Sequence, residues 1–149
     1  MAIVADIKME DNKQAVLDAF NEQVNAWLQA IGEDAASTAA NKAPVDTGRL
    51  KNSINWAIKD SYGASGDTPK ANPEDKSVYI GTNVEYAMWH EFGTGIYAEE
   101  GGRTTPWVYT DKDGVKHWTH GVPARHYLQF GSTAHQAEYK SLLEQYLKK

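Results

Sequence analysis

The chain has 149 residues, no cysteine and a formal net charge of −5, which sets a single domain as the expectation, long enough to bury a core unaided. Without cysteine there is no disulfide, no thiolate nucleophile and no cysteine-ligated zinc. The acids are spread along the chain, which speaks against bulk attraction to nucleic acid; no signal peptide or run of membrane-spanning length occurs, so an unexported soluble protein with no membrane partner is expected.

The first predicted element is a helix from about Asp11 to Lys42. Val16, Phe20, Val24, Trp27, Leu28, Ile31 and Ala35 recur at steps of three and four, and Asp18, Asn21, Glu22, Asn25 and Gln29 fall on other faces. Gly32 weakens its middle. The alanine-rich stretch from Ala35 to Ala40 presents a thin surface that lets another element approach closely, in the same chain by default or in a neighbouring subunit. Pro44 disfavours the helical conformation at Ala43 and ends the helix. Asp46 or Thr47 then offers an oxygen to the amides of a new helical turn, with the permissive Gly48 beside it and Leu50 pointing inward. Pro44, Asp46, Thr47 and Gly48 are expected to set the angle between this helix and a following sheet.

Ser53 to Lys59 alternates apolar and polar, the period of a half-buried strand with Ile54, Trp56 and Ile58 inward. Residues Tyr62 to Lys76 are too poor in apolar side chains to pack and read as a mobile hairpin loop or an arm that orders on contact. Ser77 to Gly81 returns as a second strand, Val78 and Ile80 on one face and Tyr79 on the other. Thr82 and Glu85 fit a capping box that opens a helix from Asn83 to about Phe92, stopped by Gly93. Gly93 to Pro106 is a second irregular loop, also expected to be mobile. Trp107 to Thr110 and Lys116 to Thr119 flank an Asp-Gly turn and predict a β-hairpin. Its Trp107, Tyr109 and Trp118 either complete the sheet or anchor an interface. Pro123 to Leu128 reads as an extended lead-in whose Tyr127 and Leu128 plug the core, while Arg125 looks outward or towards a carboxylate. Ser132 then caps a final helix with the stripe Leu142, Leu143, Tyr146 and Leu147.

The search for chemistry returns no catalytic constellation. His90-Glu91 opens a zinc-protease signature, but position 94, where the second histidine belongs, is Thr94. A buried Glu91 accepting backbone or hydroxyl hydrogen bonds is the preferred reading, and a general base the alternative. His117, His120 and His126 lack an acidic residue at ligand-like spacing, so no metal is assigned. The serine elbow, phosphate-loop and dinucleotide fingerprints are missing, and no cofactor is implied. The competing readings are a small hydrolase using His90 and Glu91, and a binding module with a concave pocket lined by Trp107, Tyr109 and Trp118.

Three segments then combine. They are Ala43-Pro44-Val45-Asp46-Thr47-Gly48-Arg49-Leu50 with Ser53-Ile54, then Gly81-Thr82 leading into Tyr86-Ala87 and Glu91-Phe92-Gly93-Thr94, and then Pro123-x-Arg125-x-Tyr127-Leu128. In order and spacing these resemble the Hong Kong 97 gene-product-ten-like family, tail-component and neck proteins of long-tailed phages and prophages, over roughly residues 10 to 148. The chain departs from the family pattern at His126, where proline is frequent, and at Gln129-Phe130-Gly131, which replaces the usual helix start. The resemblance implies an α+β fold in which a long N-terminal helix packs on a mainly antiparallel sheet, with a short central helix, the β-hairpin and a C-terminal helix. It also implies a non-enzymatic virion protein, made in the host cytoplasm, that forms a homo-oligomeric ring at the head-to-tail junction. Its partners would be copies of itself, neighbouring connector, tail-terminator or tail-tube proteins, and DNA passing through without sequence-specific binding. A tail-terminator ring is the alternative assignment. The loops 62–76 and 93–106 are expected to contact neighbouring subunits or adjoining rings.

Overall fold

Thirty residues without a proline, Lys13–Lys42, form α1. A computed structural model of the protein describes residues 10–46, 48–59, 61–63 and 73–148. The residues of α1 that are buried, from Val24 through Leu28, Ile31 and Ala35 to Ala39, follow the three-and-four spacing of one helical face. That stripe begins later than expected. Every residue from 10 to 22 is exposed, Val16 and Phe20 among them, because the elements that pack on α1 lie against its later two thirds.

The small residues on that face set how closely its neighbours come. A Cβ added to Gly32 would stand 2.9 Å from both the Trp56 Cβ and the Val78 Cγ2, so the glycine that weakens the helix lets the sheet lie on it. The sheet has the order β2–β1–β3, from Ser61–Tyr62, Asn55–Ile58 and Val78–Gly81, and both pairings are antiparallel. Trp56 lies opposite Ile80 and Ile58 opposite Val78. Ile54, Trp56 and Ile58 are buried as their spacing predicts, but Asn55 and Ala57 are buried too. β1 is thus a central strand covered on both faces, and Asn55 satisfies its amide by donating to the Gly63 carbonyl at 2.9 Å. The expected loop from Tyr62 to Lys76 is not a simple connection between paired strands, since Tyr62 belongs to β2 and β3 joins the opposite edge of β1. Most of the remainder of that loop, 64–72, lies outside the described residues.

The corner after α1 is built as a stop and restart. Ala43 leaves the helical region with ψ 143°, and α2 (Arg49–Ser53) begins behind Gly48, whose φ of 80° is left-handed. The N-cap is therefore Gly48, which has no side chain to cap with, rather than Asp46, which is exposed; Thr47 lies outside the described residues. Leu50 is buried as expected.

The helix predicted from Asn83 starts only at Ala87, giving α3 (Ala87–Phe92). The Thr82 hydroxyl bonds the Ser53 hydroxyl and accepts from the Val84 amide, which closes a local turn there, but the helix itself opens four residues later behind Tyr86. β4 (Trp107–Thr110) and β5 (Lys116–Thr119) make a separate two-stranded sheet and do not extend the first one. The C-terminal region corrects a further boundary. Ser132 sits inside a helix, α4 (Tyr127–Thr133), rather than capping one, and the chain bends at Ala134 and His135 before α5 (Gln136–Leu147).

Candidate functional site

The residues singled out in the sequence gather on the two sides of α3. On its inward side the short helix buries Ala87 and Glu91. Glu91 is only 4 % exposed. One of its carboxylate oxygens accepts from the Leu128 amide at 2.9 Å and the other from the Gln129 amide at 3.0 Å. These are amides of the first turn of α4, which have no partner within their own helix. Glu91 thus supplies α4 with an N-terminal cap from a distant part of the chain, and the helix dipole favours its charge. The chain around it is fastened along the same line. Arg125 and His126 donate their amides to the carbonyls of His90 and Glu91, Thr94 donates to Val122, and Val122 returns a bond to the Thr94 hydroxyl. Gly93 makes this docking possible with a φ of 76°, and a Cβ there would stand 2.6 Å from the Tyr97 carbonyl oxygen. Tyr127 is fully buried and donates its hydroxyl to the Ala87 carbonyl at 3.0 Å. Burial, followed by the charge of Glu91, pushes that phenol up to about 12, so it stays a donor. Leu128 is partly buried against the core, as expected.

The outward side of α3 is bare. Met88, Trp89 and Phe92 are exposed, Trp89 at 57 %. Beside them the corner after α1 completes a groove of about 560 Å³, lined by Pro44, Val45, Leu50, Tyr86, Trp89 and Tyr109 among others. The corner residues Pro44, Asp46, Gly48 and Leu50 therefore meet Tyr86 in one place, while Glu91, Gly93, Thr94 and Leu128 work on the other face of the same helix. His90 lines the groove and stacks edge-on against Tyr86 at 6.0 Å. Burial and then the Arg125 charge lower its pKa. With both Glu91 oxygens committed to helix amides and pointing inward, the two residues of the hydrolase alternative do not converge on a common space.

The hairpin aromatics are divided as well. Residues directly opposite in an antiparallel pair share a face, which places Tyr109 with His117 and Trp107 with Thr119, and sets Trp118 with Val108 on the reverse. Tyr109 stacks on His117 at 5.3 Å and turns to the groove, whereas Trp118 is 76 % exposed. A single concave pocket lined by Trp107, Tyr109 and Trp118 is ruled out by this register. Among the histidines, His117 bonds Asp111 and His126 bonds Glu99. No group of three or more His, Asp or Glu side chains among the described residues is placed to hold a metal ion.

One cluster has no counterpart in the sequence reading. Where α5 lies on α1, Asp34 accepts from the Tyr139 hydroxyl at 2.8 Å and pairs with the His135 Nδ1 at 2.6 Å, while Trp27 donates its indole N–H to the Tyr139 carbonyl. Burial works to raise the Asp34 carboxyl, but the bonds from His135 and Tyr139 outweigh it and lower it. The same contact raises His135, with help from the charges of Asp34 and Glu138. The His135 contribution to stability is full below its unfolded pKa and is lost as pH rises through the raised folded value. The Asp34 contribution is present above its unfolded pKa and lost as pH falls through the lowered one. Docking of α5, which has no fully buried residue, is thus expected to be firmest in the mildly acidic window where both groups are charged. In an NMR titration Asp34→Asn should bring the His135 imidazole back towards its ordinary 6.5, with faster exchange of the Trp27 indole proton. An unshifted His135 would show that Asp34 does not hold it.

Comparison with known proteins adds one finding. Residues 7–93 match the family model described as "Bacteriophage HK97-gp10, putative tail-component". The match spans more than half of the chain and takes in α1, the corner, the three-stranded sheet and α3 as far as Gly93. It is shorter than the resemblance drawn over residues 10 to 148, and leaves the hairpin, α4 and α5 beyond it. No curated protein and no solved structure matches the chain.

Proposed function

The chain belongs to the HK97-gp10-like family of bacteriophage tail components, and from that membership we propose that it is a structural subunit of the virion, forming a homo-oligomeric ring at the head-to-tail junction. The observation that carries this reading is the bare outer side of α3. Trp89 faces Val45 and Tyr109 in the groove, and Met88 and Phe92 are exposed on the same short helix, apolar surface of the kind that marks a protein–protein contact. The conspicuous Glu91, by contrast, works inside the subunit as a cap, which supports a structural over a catalytic role. The ring's neighbours would be connector, tail-terminator or tail-tube proteins. No described helix is long and apolar enough to cross a membrane.

DNA would slide through such a ring, and a net charge of −5 suits a lining that does not grip phosphates. A bore lined by Lys and Arg would contradict this part of the reading. Deletion of the gene in its phage, followed by electron microscopy of the lysate, tests the role directly. Filled heads and finished tails that remain unjoined are the expected outcome. Tails of uncontrolled length would instead assign the ring to tail termination, and normal virions would remove the structural role altogether.

A further inference from the structure

The bend between α4 and α5 is made at one residue. Ala134 keeps helical angles, φ −58° and ψ −38°, and its amide bonds the Phe130 carbonyl at 2.9 Å, whereas His135 departs with φ −118° and ψ 26°. Just before it, the Ser132 and Thr133 hydroxyls both donate to the Gln129 carbonyl, a back-bonding that bends helices. The helices on its two sides are held very differently. α4 is fixed by Glu91, by the buried Tyr127 and by Gly131 pressed on α1. No described residue of α5 is buried. Its Tyr139 reaches α1 between two open spaces, about 540 Å³ beside Ala30 and Leu142 and about 520 Å³ beside Ile31 and Val78, so little packing holds it. Polar bonds at its start offset this. Asp34 takes the His135 imidazole and the Tyr139 hydroxyl, and the Trp27 indole reaches the Tyr139 carbonyl. The carboxylate that seats α5 thus clasps the residue that breaks the helix.

We propose that His135 is the hinge of a two-state arm: when Asp34 lets go, α4 and α5 run together as one continuous helix that carries α5 off α1 while α4 stays in place. The backbone favours such a change. In the bent form the amides of Gln136, Ala137 and Glu138 open α5 and have no acceptor within it. A helix continued through His135 gives them the carbonyls of Ser132, Thr133 and Ala134, which offsets the loss of the clasp. The result is a rod of about 30 Å. Straightening bares Trp27, Ala30 and Ile31 on α1 and frees Tyr139 and Leu142, a bistable element of the kind that lets one chain take two shapes. Titration biases it. His135 is faced by Asp34 from α1 and by Glu138 and Tyr139 from α5, and the two carboxylates raise it. The clasp is complete between the ordinary 3.8 of Asp34 and the ordinary 6.5 of His135, and it loosens as pH rises through the raised value. The hinge stands independently of the ring reading.

Distance measurement between two spin labels on the full chain tests the hinge. The absence of native cysteine lets Ala26→Cys and Glu144→Cys, both at exposed positions on the facing helices, carry the labels. The clasped chain should give the short distance of the docked helix. Asp34→Ala should raise the fraction at a second, longer distance about tenfold, the weight of one charge-assisted bond. Hydrogen exchange tells straightening from melting. In Asp34→Ala the amides of residues 136 to 138 should gain protection, while those of 128 and 129 keep theirs because α4 has not moved. Gln136→Pro supplies the reverse test, since proline is accepted at the first position of a helix and not inside one. Added to Asp34→Ala, it should abolish the gain in protection and return the longer distance to the wild-type fraction. An unchanged distance in Asp34→Ala would overturn the hinge. So would a longer distance with protection lost throughout residues 136 to 147, which means that α5 melts, or one that survives Gln136→Pro, which means that it leaves still bent.

Discussion

Replacing Glu91 by alanine is expected to lower the unfolding free energy by about 3–5 kcal/mol, because a buried carboxylate that satisfies two helix amides is removed together with its volume. The two amides of Leu128 and Gln129 lose their acceptors at 2.9 and 3.0 Å. Little else can replace them, since α4 has only seven residues and no side-chain cap of its own. Glu91→Gln should fall between the wild type and alanine, at about 2 kcal/mol, because it keeps one acceptor and turns an N–H₂ group towards a helix N–H. Against a typical total of about 5–15 kcal/mol, either loss is large. Urea unfolding of the three proteins measures it, and hydrogen exchange should locate it, with the amides of residues 128 and 129 losing protection first. A loss below about 1 kcal/mol for Glu91→Ala would mean that water substitutes for the carboxylate, and that Tyr127 and the backbone bonds alone hold α4 in place.

That contact also shows why parts of this fold were legible and others were not. The long helix, its stop at Pro44 and the turn at Gly93 follow from residues whose backbone preferences act locally, and each is found where those preferences place it. The faces of β1 and β3 were legible for the same reason, because alternation fixes which side chains share a surface. What alternation does not reveal is whether the second surface is covered, which is why Asn55 and Ala57 came out buried. Thr82 and Glu85 match a capping pattern in full, and the Thr82 hydroxyl does accept the local bond from the Val84 amide while also bonding Ser53, 29 residues away, yet the helix begins only at Ala87. The start of α4 was misplaced by the converse effect. Its cap comes from Glu91, 37 residues before Leu128, and no local pattern announces a cap so remote. The Asp34–His135 pair, 101 residues apart, left no signal of any kind. The exposed outward face of α3 was not legible either. An all-round apolar segment such as Tyr86 to Phe92 reads as buried on both sides, and only the fold shows that one side lacks a partner among the described residues.

Gly131 should give the second large effect, and its sign separates local propensity from packing. Within an exposed helix, glycine to alanine stabilises by about 1 kcal/mol. Here a Cβ would stand 2.6 Å from the Ala35 carbonyl oxygen, 2.6 Å from the Ala39 Cβ and 3.0 Å from the Ala39 nitrogen. Two of those atoms are backbone of the long helix and cannot rotate away, so α4 itself must move. Gly131→Ala is therefore expected to destabilise by about 1–2 kcal/mol net, and Gly131→Val, with its branched side chain, by about 3–5 kcal/mol. The displacement would pull Tyr127 off Ala87 and the amides of α4 off Glu91, since those bonds fix the same short helix from its other side. Ala39→Gly removes one of the three contacts and leaves the Ala35 oxygen. Combined with Gly131→Ala it should recover part of the loss, with a coupling of about 0.5–1.5 kcal/mol in a double-mutant cycle followed by urea unfolding. Additivity of the two changes would mean that α4 slides along α1 instead of pressing on Ala39. A stabilised Gly131→Ala would mean that the close approach of the two helices, and with it the fit between Glu91 and the start of α4, is set by something other than this glycine.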